Sequence, residues 1–170
     1  ALSAMLSAEQ HLQIADELIA ADASKELLPI LTGRYPGMVV DDSYAVQRAW
    51  TERKLAEGRR VVGRKIGLTS KVMQVATGIT EPDYGVILDD MVIESGSVID
   101  FDRFSNVRIE VELAFVLAKP LTGPHTTIFD VLDATAYVVP ALEILNSHLV
   151  MEGRTIVDTI SDNAAYGAMV

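Results

Sequence analysis

Glu110 and Glu112 lie in the stretch Arg108-Ile109-Glu110-Val111-Glu112-Leu113-Ala114-Phe115-Val116-Leu117, where β-branched and aromatic residues dominate and no Gly or Pro intervenes. That composition predicts a β-strand. Residues two apart in a strand share a face, so the two carboxylates point the same way, roughly 7 Å apart along the strand. Ala114 and Val116 continue this face, which predicts that it runs towards a core. Like charges on an increasingly apolar face repel each other and lose solvation, and a bound cation relieves both costs. A third carboxylate, Glu143, is the only charged residue in Ala134-Thr135-Ala136-Tyr137-Val138-Val139-Pro140-Ala141-Leu142-Glu143-Ile144-Leu145. An ionised Glu in such a run must be paired, coordinated or protonated. Three carboxylates without Cys or His are hard oxygen ligands, suited to Mg²⁺ with Mn²⁺ as a substitute rather than to Zn²⁺ or copper. By itself a Glu-x-Glu pair is more often the solvated face of an edge strand, and adding Glu143 leaves the two readings level.

Lys65 is the next candidate. It lies in Val62-Gly63-Arg64-Lys65-Ile66-Gly67, where a strand puts Gly63, Lys65 and Gly67 on one face and leaves space beside the ammonium for a ligand. Most strand lysines are simply solvated, so this signal is weak alone. The overlapping Gly58-to-Lys65 segment misses a phosphate-binding loop, because the Lys and Ser/Thr positions do not match and Val61-Val62 reads as strand. Thr69 and Ser70 read as helix caps, Asp83 as a turn former, and Ser161 with Asp162 as a helix start. His11, His125 and His148 lack metal-ligand spacing and are expected at the surface.

The elements that must position these residues follow from periodicity and punctuation. Apolar residues at Leu12, Ala15, Leu18 and Ile19 predict a helix over 9–28, capped by Ser7 and closed by Pro29. A second helix is expected over 43–57, capped by Asp41 or Asp42 and ended by Gly58. Beyond it come a strand over 60–66, a short helix over 70–77 stopped by Gly78, and a turn over 81–85. Short strands near 86–88 and 91–94 precede the Glu-x-Glu strand, and a loop over 121–125, a helix over 129–134 and a strand over 137–145 follow it. Helices first and strands later define an α+β protein: one domain over 1–170, with a helical part at 1–60 and a β-rich part at 61–170.

Composition narrows the function. The chain has 170 residues, 49% hydrophobic and 22% charged, which is a globular composition with enough length for a sizeable core. A net charge of −10 disfavours nucleic acid and anionic membranes, and an anionic substrate would need local positive charge from a metal ion, Lys or Arg. The lack of cysteine excludes disulfides, thiol catalysis and thiolate metal sites. No apolar run approaches the ~18 residues of a membrane span. Residues 1–8 are small and apolar but follow no basic residue, a poor signal peptide, so the expected compartment is the cytoplasm.

Five blocks occur in one order: Gly63-Arg64-Lys65-Ile66-Gly67-Leu68-Thr69-Ser70, Glu81-Pro82-Asp83-Tyr84-Gly85, Arg108-Ile109-Glu110-Val111-Glu112, Pro140-Ala141-Leu142-Glu143 and Asp158-Thr159-Ile160-Ser161-Asp162-Asn163-Ala164. Together they resemble the hydratase/decarboxylase branch of the fumarylacetoacetate hydrolase superfamily over nearly the whole chain. The resemblance implies N-terminal helices followed by a mixed β-rich core. It implies Mg²⁺ or Mn²⁺ held by Glu110, Glu112 and Glu143, catalytic Lys65 and Asp83, and a substrate pocket lined near Thr69, Leu88 and Ser161. Val107 stands where the family often has proline, which leaves the ligands unaffected. Family members run further and complete their core there, so the resemblance also implies that this chain lacks their C-terminal third.

The implied activity is addition of water to a 2-oxo-enoic acid, foremost 2-oxohept-4-ene-1,7-dioate in homoprotocatechuate breakdown. The alternatives are decarboxylation of 2-oxo-3-hexenedioate, hydration of 2-oxopent-4-enoate, and a non-catalytic, metal-stabilised partner subunit. The implied partners are a small 2-oxo acid and further copies of the chain in a homo-oligomer, with no nucleic acid and no membrane.

Overall fold

A computed structural model describes residues 5–170, so the first four residues of the apolar N-terminal segment lie outside it. Helix α1 (Ala8–Ser24) starts as predicted: Ser7 Oγ accepts the Gln10 N–H, and the Gln10 side chain accepts the Ser7 N–H. It ends well before Pro29, because Lys25 turns into the left-handed region at φ 62°. After the single turn α2 (Leu31–Arg34), helix α3 (Val40–Ala56) starts earlier than predicted. Asp42 therefore works from inside the first turn, where its carboxylate accepts the Val39 N–H at 3.0 Å.

Strands β1 (Val61–Gly67) and β2 (Asp83–Leu88) form an antiparallel pair around helix α4 (Lys71–Thr77), which Gly78 terminates at φ 70°. The 83–85 segment expected as a turn is thus strand. The strand expected over 91–94 reduces to an isolated bridge between Val92 and Met169. A second sheet follows, in the antiparallel order β3 (Val107–Leu117), β4 (Thr135–Asn146), β5 (Tyr166–Met169), with helix α5 (Ile128–Ala134) leading into β4. Helix α6 (Ile156–Ser161) starts after Thr155, so Ser161 ends this helix, and Asp162 both closes it and opens the single turn Asn163–Ala165.

Two apolar clusters hold these parts together. Ile14, Leu18, Leu31, Met38, Val46 and Leu149 pack between α1, α3 and the segment after β4, with Trp50 and Val157 against them. Phe104, Ile144 and Ala168 form the second, under β4 and β5. The glutamate face of β3 only half meets the expected run into a core, since Ala114 and Val116 are half-buried while Glu110 and Glu112 are exposed. Ile109, Val111 and Leu113 on its other face are exposed too.

Helix α3 ties the clusters to the strands through buried polar contacts. Gln47 Nε2 donates to the carbonyls of Tyr84 in β2 and Ile160 in α6, at 2.9 and 3.1 Å, and Ser43 Oγ donates to Val157 at 2.8 Å. Asp158, fully buried, joins α6 to α2. It accepts the N–H and hydroxyl of Thr32 at 2.9 and 2.8 Å and those of Thr155 at 3.0 and 2.9 Å. Burial works against its charge, but these four donors hold its carboxyl below the usual range. Asp158→Ala leaves buried backbone N–H groups without acceptors and is expected to cost about 3 kcal/mol in urea unfolding; a loss under about 1 kcal/mol would contradict this account.

His11 and His148 are not surface residues. His11 Nε2 lies 2.8 Å from Asp42 Oδ1, and His148 lies between Asp162 and Asp22, with Nδ1 and Nε2 at 2.7 and 3.1 Å. Burial alone would lower the His148 pKa, but Asp162 and then Asp22 outweigh it and raise it from 6.5 to about 10. Burial alone would raise Asp42, but His11 and the N–H groups of Leu6, Met5 and Val39 bring it from 3.8 to about 2. By linkage, the Asp42 contribution is complete above pH 3.8 and disappears as pH falls through about 2. The His148 contribution is complete below pH 6.5 and disappears as pH rises through about 10. Thermal melts should therefore weaken on both limbs. His148→Gln should flatten the alkaline limb and remove the part of the acid limb due to Asp22, whose pKa His148 holds at about 2, while leaving the part due to Asp42.

Candidate metal centre

The three glutamates meet because of strand register. Glu110 pairs across the sheet with Glu143, while Glu112, paired with Ala141, is the diagonal neighbour of Glu143 on the same face. One carboxylate oxygen from each lies within 4.8 Å of the others. Glu143 is 6% exposed, and burial pushes its pKa up, with Glu110 and Glu112 adding to the rise and Lys65 opposing it. Such a cluster is unstable as three bare charges and offers hard oxygen donors to one divalent cation. The buried Oε1 of Glu143 accepts no well-aligned hydrogen bond, and its neighbour is the ammonium of Lys65.

Lys65 arrives from the other sheet. Its Nζ lies 2.9 Å from Glu143 Oε1, an ion pair off the hydrogen-bond directions, and donates to the Ala164 carbonyl at 3.0 Å. Both side chains are largely buried, so the lysine is less solvated than a strand position alone implies. The β1–β2 register places Lys65 opposite Gly85 and Gly67 opposite Asp83. A Cβ on Gly85 would stand 2.6 Å from the Asn163 carbonyl oxygen, and one on Gly67 would stand 2.0 Å from Asp83 Oδ1. The two glycines therefore make room for the 163–165 backbone and for the Asp83 carboxyl.

Asp83 is 5% exposed and its Oδ1 has no hydrogen-bond partner. Burial raises its pKa, against the pull of Lys65. The group is thus fitted to carry or exchange a proton. Tyr166 presents a second unpartnered buried atom, its hydroxyl, which burial and then Glu143 push towards the neutral form.

Of the residues singled out in the sequence, Glu110, Glu112, Glu143 and Lys65 converge, and Asp83 lies on the same β1–β2 face as Lys65. Leu88 and Ser161 lie beside this group rather than within it. With Trp50, His148, Asn163 and Tyr166 they line a cavity of about 240 Å³ whose walls include none of those five residues. The Ser161 hydroxyl is already committed to the Val157 carbonyl at 2.8 Å. Thr69 is exposed after β1. Sequence reasoning missed Asn163, whose side chain accepts the Val86 N–H at 2.7 Å and donates to the Val86 carbonyl at 2.9 Å. It also missed Ala164 as the lysine's acceptor. Asn tolerates the left-handed backbone found here, but Ala-Ala carries no such signal.

No family model matches the sequence. The chain is 49% identical to the 2-oxo-hept-4-ene-1,7-dioate hydratase of Escherichia coli over 98% of its own length and 64% of that protein. It is 40% identical to a 2-hydroxypent-2,4-dienoate hydratase of Pseudomonas putida, over 93% of this chain and 72% of the relative. Among solved structures, 4-oxalocrotonate decarboxylase from Pseudomonas putida G7, complexed with magnesium and adipate, superposes with a TM-score of 0.93 at 30% identity, over 98% of this chain and 64% of that one. The chain thus spans less than two thirds of the Escherichia coli relative and of the decarboxylase.

The glycine cradle gives a direct test. Gly67→Ala must displace the Asp83 carboxyl and is expected to cost about 1–3 kcal/mol, the range for overpacking a tight site. Gly63→Ala should be tolerated, since its Cβ would meet Ile87 Cδ1 at an ordinary 3.6 Å. Chemical denaturation of the two variants reads the difference, and equal stabilities would refute the close approach at Gly67.

Proposed function

The chain belongs to the hydratase/decarboxylase branch of the fumarylacetoacetate hydrolase superfamily, and we propose that it serves a metal-dependent hydratase acting on a 2-oxo-enoic acid. The proposed substrate is 2-oxohept-4-ene-1,7-dioate, supported by the 49% identity to the Escherichia coli hydratase of that name. The observation that carries the reading is the convergence of three carboxylate oxygens within 4.8 Å, with the Lys65 ammonium 2.9 Å from one of them.

Glu110, Glu112 and Glu143 would hold Mg²⁺, with Mn²⁺ as a substitute, since the donors are all hard oxygens. When bound, the ion supplies positive charge where a 2-oxo acid develops negative charge in the reaction. Lys65, fixed by the Ala164 carbonyl and Glu143, keeps a second positive charge beside the same place. Asp83, with its raised pKa and unpartnered Oδ1, can take up a proton and return it at that atom. The net change is addition of water, with hydroxyl at carbon 4 and hydrogen at carbon 5. A proton moves from carbon 3 to carbon 5 as the α,β-unsaturated ketone forms, and water then supplies hydroxyl to carbon 4 and a proton back to carbon 3. Asp83 and Lys65 are the groups assigned to these proton transfers.

A second reading, decarboxylation of a 2-oxo-enedioate, is favoured by the TM-score of 0.93 to the decarboxylase structure. Product analysis separates the two: a 4-hydroxy-2-oxo acid without gas supports hydration, and carbon dioxide release supports decarboxylation. Glu110→Gln and Glu143→Gln should weaken Mg²⁺ binding in calorimetry by at least about tenfold, because affinity at oxygen sites follows ligand charge. Lys65→Met should retain Mg²⁺ binding and lose turnover by about 10²-fold or more. Unchanged Mg²⁺ affinity in both glutamine variants would remove the shared site, and unchanged kinetics in Lys65→Met would remove the lysine from the chemistry.

A further inference from the structure

The Lys65 ammonium rests on a carbonyl that belongs to an unusual piece of backbone. Asn163, Ala164 and Ala165 follow one another at φ 48°, 54° and 56°, three non-glycine residues in the left-handed region. Each costs on the order of 1–2 kcal/mol, so the turn persists only if its surroundings hold it. On one side it is held by the Asn163 side chain, which bonds both backbone groups of Val86 in β2. On the other it is held by Asp162, whose carbonyl accepts the Ala165 N–H at 2.8 Å.

Asp162 is in turn clamped through its carboxylate, at closest range by His148. Its carboxylate accepts the His148 N–H at 2.7 Å and faces the His148 ring Nδ1 at 2.7 Å, with the Ser147 hydroxyl at 3.4 Å. The other ring nitrogen faces Asp22 of α1 at 3.1 Å and the Asn146 amide nitrogen at 3.3 Å. A ring between two carboxylates donates to both as imidazolium. It thus links helix α1 to the left-handed turn, and the turn to Lys65.

We propose that His148 is a positioning residue for Lys65: by clamping Asp162 it holds the turn Asn163–Ala165 against β2 and so fixes the carbonyl on which the ammonium rests. The structural claim stands on these contacts alone, and its kinetic consequence rests on the hydratase reading. A misplaced ammonium lowers the rate more than it lowers substrate binding, because the loss falls on orientation.

The test compares His148→Gln with the parent chain by amide hydrogen exchange, with His11→Gln as the control that cuts the other buried histidine–aspartate pair. Exchange at Ala165 and Val86, whose N–H groups bond Asp162 and Asn163, should quicken at least about tenfold in His148→Gln, as expected of a local opening. His11→Gln should leave these two amides at parent rates. Parent rates in a folded His148→Gln, or a rise shared equally by every core amide, overturns the proposal. If His148→Gln does not fold, Asp22→Asn decides, since it keeps the ring on Asp162 and removes only the outer anchor. A smaller rise confined to the same two amides supports the clamp, and no rise overturns it. With Mg²⁺ and 2-oxohept-4-ene-1,7-dioate, kcat of His148→Gln should fall about tenfold or more with KM within about threefold. A loss confined to KM overturns the positioning role. A parent chain without turnover would count against the hydratase reading and leave the exchange rates to judge the clamp.

Discussion

A buried carboxylate that faces two others, with one ammonium to steady it, is the constraint around which this chain is arranged. Glu143 loses solvation on β4 and gains repulsion from Glu110 and Glu112, and the Lys65 ammonium beside it opposes both. A buried ion pair of this kind contributes little to stability, since desolvating both partners offsets most of their attraction. Its cost extends outward. Two glycines give up their side chains to make room beside the lysine, and three residues accept a left-handed backbone to present it a carbonyl. Strain and missing side chains gathered at one place are the mark of a site held for chemistry.

The contrast with other buried acids is instructive. Asp42 and Asp158 are fully buried, yet both titrate low, because each collects several donors around its carboxylate. Asp83 and Glu143 are nearly as buried and titrate high: Asp83 leaves its Oδ1 unpartnered, and Glu143, facing Glu110 and Glu112, leans on the Lys65 ammonium 2.9 Å from its Oε1. Both sets are carboxyl groups and both are buried. What differs is the number of donors: several gather where the acid joins helices, while those beside Lys65 are too few to offset burial and, at Glu143, the charges of Glu110 and Glu112.

The legible parts of the sequence were those decided locally. Ser7 with Gln10 marked a helix start, Gly78 a helix end, and the β-branched run around Glu110 a strand, because capping and period-two patterning involve neighbours along the chain. The glutamate triad was visible for the same reason, as two acids on one strand face and a lone acid in an apolar run. The rest depended on distant partners. Asp83 enters a strand because β1 lies beside it, and Ser161 closes a helix that starts at Thr155 and docks on α3. His148 is buried by Asp22 from the far end of the sequence. The left-handed turn was invisible because alanine ordinarily avoids that backbone, and only Asp162, Asn163 and β2 together impose it.

The pairing of Glu110 with Glu143 carries a consequence for how chains of this kind can change in length. Side chains alternate along a strand with a period of two, so a shift of one residue moves every one of them to the opposite face. A single residue inserted into β3 just ahead of Ile109 would carry Ile109 and Val111 into the places of Glu110 and Glu112 and turn the carboxylates outward. The connection between Leu117 and Ile128 imposes no such phase, because added residues there leave both strands in step. Over lineages, insertions and deletions are therefore free to accumulate between the two strands, while within them a single added residue must be absorbed by a bulge, as beside Val116 and Leu117, before it reaches the glutamates.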